Sequence, residues 1–150
     1  MASVQKPSEK LPILSNVPSD TTVPSTVTGA YADSSLCEQL FGVFVIGDII
    51  TSGTVDCSLV QATDSSGTGA KAIANCVAVQ LTQAGSGSNK QVLVNCSVKD
   101  LDIAGGFTYV APRVVVGTAN ADIMGILHGF VPYHGNGELL NISTVDEVVN

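Results

Sequence analysis

From Ser35 onward, apolar and polar residues alternate at a spacing of two, in short runs broken by Gly, Asn, Asp and Ser. A period of two sends successive side chains to opposite faces, so the pattern predicts strands. Residues 41–51 are apolar on both phases and read as a strand buried on both faces. Val55, Cys57 and Leu59 alternate with Asp56 and Ser58, as in a half-buried strand. The run from Asp64 to Gly69 is a turn. Ile73, Val77, Val79 and Leu81 share one phase, against Cys76, Ala78, Gln80 and Thr82. After a Gly/Ser loop at 84–89, Val92, Val94, Cys96 and Val98 form the next inward phase. These two runs predict a hairpin.

Residues 107–116 form a strand carrying Pro112, which predicts an edge or a bulge. Residues 123–131 form another buried strand, in which Gly125 and Gly129 predict a bulge or a close backbone approach. The only helical signal in this part is Ser35-Leu36-Cys37-Glu38, whose capping-box spacing predicts one short turn. The predicted fold is all-β, a compact β-sandwich or jelly-roll-like domain over residues 35–150.

Residues 1–34 read differently. Pro7, Pro12, Pro18 and Pro24 fall here, four of the six prolines. Recurrent Pro fixes φ and holds the preceding residue extended. The expectation is an extended N-terminal arm with no core of its own. It is either a loose terminus or an arm that orders on a neighbouring subunit. The apolar cluster Leu11, Pro12, Ile13 and Leu14 favours the second reading and is the candidate interface.

Composition supports the β reading. There are 21 Val and 9 Ile against 11 Leu, with 12 Thr. Branching at Cβ suits a pleated surface. The 150 residues fit one domain. A mean hydropathy of +0.36 with 13% charged residues excludes a generic disordered chain. No apolar run approaches the roughly 20 residues of a membrane-spanning helix, so no membrane partner is expected. The net charge is −7 and Arg113 is the only Arg, which argues against nucleic-acid binding. No apolar leader follows Met1, so synthesis in a reducing cytoplasm is expected and the four Cys are read as thiols. The glycosylation sequons at Asn95 and Asn141 are then chance matches.

Candidate chemistry is sparse. Cys37, Cys57, Cys76 and Cys96 lack the close ligand pairs of a zinc site. Cys57 and Cys96 sit on apolar phases, as small hydrophobes do. Cys76 and Cys96 flank the 84–89 loop, but no single register aligns both the thiols and the apolar faces. His128 lies in an apolar strand, which suits a core or interface side chain better than a base, and His134 is the only other imidazole. Asp100 and Asp102 resemble the opening of a calcium loop without its later carboxylates, and they fit turn caps better. The loop Gly85-Ser86-Gly87-Ser88-Asn89-Lys90 precedes a strand, so no helix terminus is there to hold a phosphate. No catalytic residue, metal site or cofactor is expected. Tyr109 and Tyr133 flank the late strands and are the one aromatic pair suited to stacking on a sugar.

Three stretches carry a resemblance. They are Val60-Gln61-Ala62-Thr63-Asp64-Ser65-Ser66-Gly67-Thr68-Gly69-Ala70-Lys71-Ala72-Ile73, Asn89-Lys90-Gln91-Val92-Leu93-Val94-Asn95, and Asp100-Leu101-Asp102-Ile103-Ala104-Gly105-Gly106-Phe107-Thr108-Tyr109-Val110. Together, over residues 57–131, the chain resembles small tailed-bacteriophage head proteins encoded beside the major capsid protein, of the decoration or cement kind. The resemblance implies a non-enzymatic virion component made in the bacterial cytoplasm and placed on the outer capsid surface. Its implied partners are the major capsid protein and further copies of itself, as a homo-oligomer such as a trimer. Leu11, Pro12, Ile13 and Leu14 would be the docking residues. Two other functions stay open, a head-to-tail completion protein and a carbohydrate-binding or host-adhesion module.

Overall fold

The structure is a computed structural model that describes residues 6–35, 37–130 and 142–147. Its strands are β1 (Ile13–Thr22), β2 (Ser25–Thr28), β3 (Ala32–Asp33), β4 (Gln39–Ile49), β5 (Thr54–Ala62), β6 (Lys71–Val77), β7 (Leu81–Thr82), β8 (Lys90–Ser97), β9 (Tyr109–Gly117) and β10 (Ala121–Phe130). One antiparallel sheet has the order β1-β10-β4-β8. The second runs β2-β9-β5-β6, with β3 beside β9 and β7 beside β5. The all-β sandwich predicted from the alternation is therefore present.

The inner faces supply one core. Leu40, Phe44, Ile46 and Leu127 of the first sheet meet Leu59 and Val114 of the second. Gly125 lies opposite Phe44 because any Cβ there would stand 2.9 Å from the ring. Gly129 makes similar room for Cys37 and Leu14. Both glycines thus serve the close approach expected of them.

The extended arm is the main correction. Residues 13–22 are extended, as the prolines require, but they form β1 and pair with β10 from Ile13↔His128 to Thr22↔Ala121. Residues 25–28 form β2 on β9. Residues 13–33 complete both sheets of their own domain. The boundary at residue 34 therefore separates no structural units. A four-residue helix, α1 (Pro7–Lys10), precedes β1, with Pro at its first position and Glu9 capping Lys6 N at 3.0 Å.

Four smaller expectations also change. At the 35–38 capping box, whose Leu36 lies outside the described residues, Ser35, Cys37 and Glu38 are not helical. Ser34 is tied to Thr108 O through its N–H and hydroxyl, and Cys37 N closes a tight turn on Ser34 O at 3.0 Å. Pro112 is not on an edge, since β9 lies between β2 and β5. Its carbonyl accepts from Gly29 N, where β2 has ended and β3 has not begun, so the missing N–H faces a gap in the ladder. The predicted hairpin is absent, because β7 pairs with β5 and β8 pairs with β4. Finally, the inward phase of β6 flips. Ile73 and Cys76 are buried three residues apart, while Val77 and Val79 are 56% and 90% exposed. Asn75 between them has φ +65°, a left-handed residue that breaks the alternation.

Candidate functional site

The outer face of the four-stranded sheet is the candidate site, and simple alternation builds it. In β10, Ile123, Gly125 and Leu127 point inward, which turns Met124, Ile126, His128 and Phe130 outward. In β4, Leu40, Phe44 and Ile46 point inward and Phe41, Val43 and Val45 outward. In β8, Val94 and Cys96 are inside and Leu93 is outside. Register then aligns these outward residues across the strands. Leu93 is opposite Val43, Val43 opposite Ile126, and Val45 opposite Met124. Phe41 is opposite His128, which is opposite Ile13 of β1. Leu93 is 59% exposed and Phe130 38%, and the others are half-buried.

These rows carry no formal charge. Asp122 and Lys90 stand at the margins, and Asp122 accepts a hydrogen bond from the Thr21 hydroxyl at 2.6 Å. The outer strands add polar residues to these rows, Asn16 of β1 opposite Ile126 and Gln91 and Asn95 of β8 opposite Val45 and Phe41, while His128 stands among the apolar residues of β10. Its ring stacks on Phe41 with centroids 6.4 Å apart, and its Nδ1 lies 3.1 Å from Leu11 O. Both contacts are within the chain and pack the ring at the sheet surface. Beside β1, Thr144 of the 3-10 turn Ile142–Thr144 shares a groove with Ile13, Asn16, Met124 and Ile126.

The residues predicted as an anchor divide here. Pro12 is buried and its carbonyl accepts from Gly129 N at 3.1 Å, and Leu14 is 8% exposed in the core. Leu11 is 41% exposed and Ile13 half-buried, and these two border the apolar face. The cluster thus does anchor a segment, but to its own sandwich. Phe41, Val43, Val45, Leu93, Met124 and Ile126 were missed as surface residues. The signal was the double-phase apolar run at 41–51, read as burial on both faces.

A second cluster lies where the first and third resembling stretches meet. Lys71 Nζ contacts Asp102 Oδ2 at 2.6 Å and sits 4.0 Å from the centroid of the Phe107 ring. Gln61 Oε1 accepts from Asp102 N at 2.8 Å. The hydrogen bond from Lys71, helped by Gly105 N, holds the Asp102 carboxyl below its usual range. Asp100 accepts from Ser97 N and Asp102 from Gly105 N, so both cap turns as expected. The cluster clamps loops and presents no reacting pair. Tyr109 is half-buried in β9 opposite Ala62, and Tyr133 and His134 lie outside the described residues.

All four cysteines are free and buried. Burial, with Asp33 nearby, pushes the Cys37 thiol up to about 11. Burial, with Asp56 nearby, pushes Cys57 up to about 12. They are neutral packing groups at ordinary pH. Among the described residues no three His, Cys, Asp or Glu side chains gather as metal ligands. No family model, curated protein or solved structure matches the chain.

Proposed function

We propose that this protein is a non-enzymatic virion component that binds and stabilises a bacteriophage capsid from outside. It docks as a homo-oligomer, through the outer face of the β1-β10-β4-β8 sheet. The observation that carries the reading is the uncharged apolar surface of the central strands β4 and β10, extended by Leu93 of β8 and Ile13 of β1. An antiparallel sheet with one face in water ordinarily carries polar side chains there. A contiguous apolar patch marks a contact surface instead. The resemblance of residues 57–131 to phage head proteins supplies the partner, the major capsid protein. The net charge of −7 suits a position away from packaged DNA. Leu11 and Ile13 extend the docking face at its β1 side, whereas Pro12 and Leu14 are committed to the core.

The test is co-purification with assembled particles, with copy number measured by gel densitometry. A lattice-bound protein will appear in proportion to the capsid subunits. A small fixed number set by one symmetric ring would point to a head-to-tail completion protein. Absence from particles would refute both.

A further inference from the structure

Among the described residues no strand is shared between the two sheets. β6 ends one sheet and β8 ends the other, and no ladder pairs them. Between these two edges lie Cys76 and Cys96, each 1% exposed. Cys76 Sγ is 3.9 Å from the carbonyl oxygen of Asn95, one peptide bond away from Cys96. Cys96 Sγ lies 3.5 Å from the carbonyl oxygen of Ser97, so both thiols sit at the same stretch of the β8 backbone. We propose that Cys76 and Cys96 are an oxidation site, where a small peroxide closes a disulfide that ties the two sheets together at their β6–β8 margin.

Two features make the site usable. Burial raises both thiols, but the contact with Cys96 opposes the rise at Cys76 while the same contact adds to it at Cys96, which makes Cys76 the attacking sulfur. The β6 strand is also weakly held, with a register shift against β5 between Ser58 and Val60 and a left-handed residue at Asn75. Its opening gives a small oxidant access to a thiol that is otherwise enclosed. In the first step the Cys76 thiolate attacks peroxide, the O–O bond breaks, and a sulfenic acid and hydroxide form. In the second step Cys96 sulfur attacks Cys76 sulfur and expels the second hydroxide. The thiol protons convert both hydroxides to water. Peroxide is reduced by two electrons, and the two thiols become one disulfide. Among the described residues, no contact gives Cys37 or Cys57 a thiol partner. A reducing cell keeps the pair open, and an oxidising exterior closes it.

The test treats the reduced full-length protein with hydrogen peroxide at about pH 8, where free thiols begin to ionise. It is then denatured, the remaining thiols are alkylated, and it is digested without reductant for mass spectrometry. The expected result is the loss of two hydrogens, a single linked peptide pair joining Cys76 to Cys96, and alkylation of Cys37 and Cys57. Melting temperature should rise by roughly 5–10 °C and return on reduction. Cys96→Ser should instead yield a trappable sulfenic acid at Cys76. If that variant does not fold, the double variant Cys37→Ser/Cys57→Ser must still lose two hydrogens. A link between any other pair, oxygen addition without a link, or four intact thiols when the unfolded control is fully oxidised would each overturn the proposal.

Discussion

A buried thiol is a small apolar side chain for as long as it keeps its proton. Cys57 packs among core residues of both sheets at 1% exposure, and burial holds its proton to about 12. Cys37 keeps its proton to about 11, against an ordinary value of 9.0. In the unfolded chain these thiols ionise first, so above about pH 9 the unfolded state binds fewer protons than the native state. Stability contributed by the raised values is therefore complete below pH 9 and is lost as pH climbs through the folded values. The reduced protein should lose stability on the order of 1 kcal/mol per pH unit for each such thiol. Urea unfolding between about pH 8 and 11 checks this, and Cys57→Ala should show a shallower decline than the parent. Over the same range below pH 9, aromatic disulfide reagents should react with no native thiol and with all four after denaturation.

Strand existence was legible because alternation and β-branching are local properties. Strand partnership was not, because it depends on which sheet a run joins. The β7 and β8 runs looked like a hairpin, yet β7 stays on β5 and the chain crosses to the other sheet before β8. Upstream, Asn75 at φ +65° reverses the inward phase, so Cys76 rather than Val77 enters the core. Asn tolerates this region through its short polar side chain, and a β-branched residue does not. Asn75→Val should cost about 1–3 kcal/mol, and Asn75→Gly should be near neutral, as read by denaturant midpoints. The N-terminal segment misled for a related reason. Pro18 excludes helix but is compatible with an edge strand, where a missing N–H faces outward, and Pro24 falls in the connection between β1 and β2. Leu14 and Val17 of β1 lie in the core, so β1 is a structural strand. Truncation to Ser25 should therefore abolish cooperative thermal unfolding monitored by circular dichroism. A free arm would leave that transition unchanged.

For the molecule as a whole, the question is what the sandwich does with a surplus apolar surface. One face of the four-stranded sheet fills the core, and the other presents Leu93, Val43, Ile126, Val45 and Met124 in register. The double-phase pattern of residues 41–51 made this surplus visible in the sequence, but only the strand order could show that, among the described residues, no further strand lies over it. Charge is confined to the margins, so attachment through this face should depend little on ionic strength. Exposed charge pairs weaken beyond a Debye length of about 8–10 Å near physiological salt, whereas apolar contact does not. Leu93 at 59% exposure and Phe130 at 38% can be altered with little cost to the fold. Surface changes of this kind typically stay within about 0.5 kcal/mol. Leu93→Glu and Phe130→Glu together should therefore leave the melting temperature nearly unchanged. Each introduces a charge that contact with a partner would desolvate without pairing, which costs far more than the lost packing. Particle occupancy in a sedimentation assay should fall at least tenfold for the pair, equally at low and high salt. Occupancy that instead drops with salt in the parent protein would place the contact on the charged margin rather than on this face.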